Sequence, residues 1–230
     1  MECWICGSDA DTGEHLIKAS DLKSLFGHIT QKRPIYFHTA AKRNLPIRGI
    51  RSDKLKFAAP ICSFCNNGRT QPHDRAWELL SEYLRNRIPP IENGTLIRLE
   101  RAFPGAVKRS MLAVHLFFIK QFGCLIAEHS IPLDITKFAE AIIKQTPHPK
   151  VHLRFVTGLQ DPRHKLVSRS DIHTAVLPDG TIAYATWFYI VDRIAVNVIY
   201  AEPMERRTAL VHSWHPSTIN KRIRIVGYDA

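Results

Sequence analysis

Cys3-Trp4-Ile5-Cys6 at the start of the chain and Cys62-Ser63-Phe64-Cys65-Asn66-Asn67-Gly68 further along are the stretches on which the fold turns. Each Cys-x-x-Cys places two sulfurs on one side of a tight turn, and two such turns complete the tetrahedron that Zn²⁺ prefers. Residues 7–61 intervene, far more than a compact zinc ribbon contains, so further structure must be built inside the loop. Two thiolate pairs argue for a metal site in a reducing compartment rather than a secreted disulfide framework. A redox motif would sit at a strand-to-helix junction of a βαβ unit, which the pattern lacks. With four cysteine ligands the site is closed to water, so its contribution is folding free energy. The fifth cysteine, Cys124, lies in an apolar stretch and reads as a small core residue.

A composition of 45% hydrophobic and 23% charged residues over 230 positions is that of an ordinary folded protein. The formal charge of +11 and pI near 9.6 favour a polyanionic partner, because Lys and Arg bound to phosphates release condensed counterions. No Walker-type or dinucleotide-type glycine loop occurs, which argues against nucleotide-driven chemistry. The apolar run from Met111 to Ile119 is bounded by Arg109 and Lys120, short of the roughly 20 residues a membrane helix needs, and predicts a buried helix. Residues 1–10 lack a basic segment leading into an apolar one, so a cytoplasmic protein without a membrane partner is expected.

The pattern predicts an α+β protein in two parts, residues 1–103 and 104–230. Residues 1 to about 70 are punctuated by Gly and Pro and read as irregular structure stapled by the knuckles. Trp77, Leu80 and Leu84 recur at helical spacing after Pro72, predicting a helix over 72–84. A short strand follows over 95–100. Val107, Met111, Val114, Phe118, Phe122 and Leu125 trace one face of a helix over 106–127, and a shorter helix is expected over 134–145. The remainder alternates like a mainly antiparallel sheet, with strands from Val151 and over 182–191, 194–200, 209–213 and 222–227.

Between the knuckles lies Gly13-Glu14-His15, and Asn66 directly follows the last cysteine. An acidic residue beside a histidine, with paired knuckles ending in asparagine, resembles the HNH endonucleases, especially the phage recombination endonucleases of the ββα-metal fold. The likeness rests on Cys3, Cys6, Glu14, His15, Cys62, Cys65 and Asn66 and covers roughly residues 1–85. It implies a treble-clef zinc module and hydrolysis of phosphodiesters, with DNA the expected substrate and a 5′-phosphate on the product. His15 would be the general base, and Glu14 with the amide oxygen of Asn66 would hold one Mg²⁺ or Mn²⁺, hard cations suited to oxygen ligands. The central asparagine of many family members is missing or displaced, Phe57 standing near its position. Asp74, with His73 as competitor, is the candidate third ligand or orienting group, although an acidic residue there also suits a helix start.

Lys18, Lys42, Arg43, Arg48, Arg51 and Arg69 are the candidate phosphate contacts, within a loop rich in cations; Tyr36 and Phe37 are expected to pack on the zinc core rather than stack on bases. Asn67 reads as a turn residue and His38 as an isolated polar-loop histidine. His212-Ser213-Trp214-His215 looks like a metal pair, yet no further ligand stands near it in sequence, so it reads as structural. The second part is expected to select substrate or mediate homodimerisation. The rival reading is a non-catalytic zinc-finger protein that binds nucleic acid.

Overall fold

The computed structural model describes residues 1–39, 42–158, 165–218 and 221–228. Helix α1 (Ala19–Phe26) buries Leu22 and Leu25 and stops at Gly27, whose φ of 71° suits glycine. Strands β1 (Ile35–Phe37) and β2 (Leu45–Ile47) form a small antiparallel ribbon. A wide π-helical turn over Phe64–Arg69 carries Cys65 and Asn66 and leads into α2 (Gln71–Arg85), which starts on Pro72. The segment expected to be irregular therefore holds one helix and a ribbon of its own. Their short lengths hide them from a periodicity test.

After β3 (Leu96–Arg98) comes α3 (Val107–His129), which is 23 residues long and buried on nearly every side from Val114 to Ile126. By length and composition α3 could cross a membrane, but 78% of its most apolar window is covered by protein. α4 (Ile135–Lys144) is capped by Asp134, whose carboxylate accepts from the Thr136 amide.

Six further strands, β4 (Val151–Thr157), β5 (Val167–Arg169), β6 (His173–Val176), β7 (Ile182–Val191), β8 (Ile194–Ala201) and β9 (Arg222–Gly227), join β3 in one sheet. Its order is β3-β9-β4-β8-β7-β5, with β6 also on β7, and every pairing is antiparallel except β4 with β9. The α+β class thus stands. The strand expected over 209–213 is instead a 3₁₀ turn at Thr208–Leu210, and Trp214 makes a lone bridge to Leu153.

Apolar packing is continuous across the boundary expected near residue 104. One apolar cluster runs from Cys3 through α2 and α3 to Ile225, and β3, from the first part, pairs with β9 of the second. At its centre Trp77 lies against Phe117, Phe118 and Tyr189, with ring centroids 4.9–5.7 Å apart. Gly123 permits a close approach between the parts: a Cβ there would lie 2.2 Å from the Trp4 ring, so only glycine lets α3 meet the first knuckle.

Candidate metal centre and the strand beside it

The four sulfurs of Cys3, Cys6, Cys62 and Cys65 lie within 4.8 Å of one another, and Cys6 Sγ is 3.6 Å from Cys62 Sγ. A tetrahedral ion with metal–sulfur bonds of about 2.3 Å sets its sulfurs roughly 3.8 Å apart, so this cluster fits one metal ion. Amides and a guanidinium surround the sulfurs as well. The Cys65 amide points at Cys62 Sγ (3.4 Å), and Arg69 Nη1 donates to Cys65 Sγ at 3.0 Å while its guanidinium lies over Phe64. Hydrogen bonds from Ser8, hydroxyl and then amide, bring the Cys6 thiol down to about 6, whereas burial pushes Cys62 and Cys65 up. Buried thiols of this kind lose their protons together when a cation replaces them.

Inside the loop the chain doubles back on itself. Residues 12–16 run antiparallel to 55–61, with bridges Thr12 to Ile61 and His15 to Lys56 and hydrogen bonds from Leu16 N to Leu55 O (2.7 Å) and Phe57 N to Glu14 O (2.8 Å). These two extended segments, joined by isolated bridges, are followed in the chain by the knuckle turn and α2. Gly13 sits where a Cβ would come within 3.3 Å of the Lys56 side chain. Strand alternation turns Glu14 inward, 5% exposed, and leaves His15 half-buried on the other face.

His15 Nε2 lies 3.1 Å from the carbonyl of Ile50. A carbonyl only accepts, so Nε2 carries a proton; Nδ1, the acceptor of the neutral ring, has no hydrogen bond among the described residues. Arg48, Arg51 and Lys54, from the same loop as Ile50, line a cleft of about 420 Å³. The loop that orients the imidazole thus presents three cations.

Asn66 is buried and donates from Nδ2 to Gly13 O at 3.3 Å, which leaves its Oδ1 without a hydrogen bond among the described residues. The turn that carries the last two cysteines therefore brings an amide oxygen beside the Glu14-His15 strand. Asn67 Nδ2 reaches only Ser63 Oγ, as a turn residue does.

Glu14 meets α3. Its Oε2 accepts from Lys120 Nζ at 2.9 Å and its Oε1 from Gln121 Nε2 at 2.9 Å. Lys120, with no exposed side-chain surface, also reaches Asp74 Oδ1 at 3.0 Å, and Asp74 Oδ2 pairs with Lys18 at 3.1 Å. Burial alone would push the Lys120 ammonium toward neutrality, but the charges of Glu14 and Asp74 outweigh it and hold the proton more firmly than in an ordinary lysine. Asp74, expected as a third ligand or orienting group, instead places each oxygen on an ammonium. His73, its competitor, is buried on Gln145 and kept neutral by desolvation.

The remaining cations fall into separate groups. Lys18 pairs with Asp74 and Glu78, and Arg69 donates to the sulfur cluster. Lys42 and Arg43 are exposed, Arg43 on the rim of a second cleft. His38 Nδ1 accepts from the Asn44 amide at 3.3 Å. His215 belongs to a buried structural group: its Nε2 donates to the His148 carbonyl at 3.0 Å, its Nδ1 accepts from the Ser217 amide at 3.1 Å, and its ring faces those of His115 and His152. Cys124 is wholly buried in α3.

Lys120 and Gln121 are the residues that sequence reasoning missed. The signal was a single lysine inside a run that is apolar on both sides, from Met111 to Ile119 and from Phe122 to Ile126; such a charge demands a buried partner. Compared with family models, curated proteins and solved structures, the chain matches none.

Proposed function

We propose that this protein is a metal-dependent endonuclease of the HNH type, acting on DNA, with Zn²⁺ as the structural ion of the four cysteines in a treble-clef module. One observation carries the reading: His15 Nε2 donates to the carbonyl of Ile50, which in the neutral ring leaves Nδ1 as an acceptor, and the loop that holds Ile50 carries Arg48, Arg51 and Lys54 on a cleft. An imidazole so held is suited to take a proton from the water that attacks a phosphate. The three cations are suited to hold the strand by its phosphates.

The residues that would hold a catalytic Mg²⁺ or Mn²⁺ are Asn66, through its free Oδ1, and Glu14. Each Glu14 oxygen uses one lone pair on Lys120 or Gln121 and retains another, so the two donors from α3 orient the carboxylate without exhausting it. When bound, the ion would polarise the scissile phosphate and stabilise charge on the leaving oxygen. Asp74 acts through Lys120, sharing its ammonium with Glu14 and so steadying that carboxylate.

A second reading, a non-catalytic zinc protein that binds nucleic acid, is favoured by the lysines around these carboxylates: Lys120 sits on Glu14 and Asp74 and Lys18 on Asp74, so two ammoniums offset the two carboxylate charges a cation would need. Plasmid incubated with the full chain and Mg²⁺ or Mn²⁺ separates the two. Nicking by wild type that disappears without added divalent ion and falls at least a hundredfold in His15→Ala, at unchanged DNA affinity, is the expected result. Wild type and His15→Ala equally inert while still binding DNA would establish the second reading.

A further inference from the structure

A cleft of about 850 Å³ opens between the β1 segment and the β5 segment, and Leu16 and Ile17, the two residues after His15, form part of its wall. Leu22 and Phe26 of α1 give it an apolar floor, and Tyr36, 60% exposed, stands at its edge. Arg43, Lys165 and Arg169 supply three cations against one carboxylate, Asp171. The Arg169 guanidinium lies over the Phe57 ring at 5.2 Å, and its Nη1 is buried with no acceptor among the described residues. A buried donor without a partner is costly, and an anionic oxygen is the acceptor that relieves it.

We infer that this cleft holds one unstacked nucleotide of a single-stranded nucleic acid, with the base on the apolar floor against Tyr36 and the flanking phosphates at Arg43, Lys165 and Arg169. The volume lies within the range of small-molecule sites, and the flat apolar face joined to an anion matches floor and rim together. A duplex does not fit this chemistry, because stacking covers its base faces and none can reach the floor without being extruded. The inference shares with the proposed function only the choice of nucleic acid as partner. It concerns strand state and stands whether or not His15 cleaves.

The test uses the full chain carrying His15→Ala, without added divalent ion, so that neither hydrolysis nor its absence affects the reading. Fluorescence anisotropy follows binding of a labelled 12-nucleotide oligothymidylate and of a 12-base-pair duplex at one fixed salt concentration. The single strand is expected to bind more tightly than the duplex. Tyr36→Ala, at an exposed position that leaves the core intact, should weaken the single strand by about five- to a hundredfold while leaving the duplex unchanged. Arg43→Ala should weaken the single strand and flatten its salt dependence. Tyr36→Ala with unchanged single-strand affinity, or with equal losses on both ligands, overturns the assignment.

Discussion

Lys120 decides more at the residue scale than any other side chain the sequence left uncommitted. It is fully buried, touches both Glu14 and Asp74, and ties the segment carrying Glu14 to α2 through α3. Removing one partner from such a cluster leaves an uncompensated buried charge, so Lys120→Met should destabilise by about 3–5 kcal/mol in urea unfolding. Lys120→Met combined with Glu14→Gln should lose less than Lys120→Met alone, since the second change removes the stranded carboxylate. If the double variant is the less stable of the two, the charge-pairing account of this cluster is wrong. The sulfur cluster was legible because both halves of each knuckle are local in sequence. Lys120 was not, because its partners lie 46 and 106 positions away and no spacing rule links them.

At the scale of elements, α3 is the beam on which the two parts of the chain rest. It meets the first knuckle at Gly123, where the Trp4 ring leaves no room for a methyl group. Gly123→Ala should therefore force α3 and the knuckle apart, costing about 1–3 kcal/mol by overpacking and speeding release of zinc to a chromogenic chelator. An alanine variant with wild-type melting temperature and zinc retention would refute that contact. The helices α2, α3 and α4 and most strands were readable from periodicity because each has a buried face of adequate length. α1, β1 and β2 were not, being too short to show a period against a polar, Gly- and Pro-rich background. The stretch 209–213 opens with the apolar run Ala209-Leu210-Val211, but among the described residues no ladder partner takes it, and only Trp214 reaches β4. Glu14 and His15 could be placed on opposite faces from strand geometry alone, whereas the Ile50 carbonyl that orients His15 lies on a loop that no pattern marks.

At the scale of the whole molecule, one core spans both parts, so loss of the four-cysteine module should be felt throughout. Cys62→Ser, which removes one thiolate, should lower the melting temperature of the sheet as well as of the module, read by near-ultraviolet dichroism of Trp187 and Trp214 together with Trp4 and Trp77. The fold also has an acid limit built into the helix–sheet interface. Burial, then the Lys150 charge, pushes His148 down to about 4; burial, then His215, pushes His152 down to about 4; and burial lowers His115 and His215 as well. An unfolded histidine gains its proton near 6.5, while these accept it in the folded state only near 4. Stability is therefore full above pH 6.5 and lost as pH falls from there to about 4, with His148 alone accounting for about 3 kcal/mol. Urea midpoints between pH 7 and pH 4 should show this slope, and His148→Phe should flatten it; a slope unchanged in that variant would remove His148 as its source.

The proposed seat for a divalent cation at Asn66 and Glu14 can be observed directly. Crystals of the full chain grown with zinc and soaked in Mn²⁺ test it through anomalous maps at the two metal edges. The account predicts zinc among Cys3, Cys6, Cys62 and Cys65 and manganese bound to Asn66 Oδ1 and a Glu14 oxygen. Zinc in its place but no manganese beside Asn66, at a concentration that supports cleavage in solution, would contradict it.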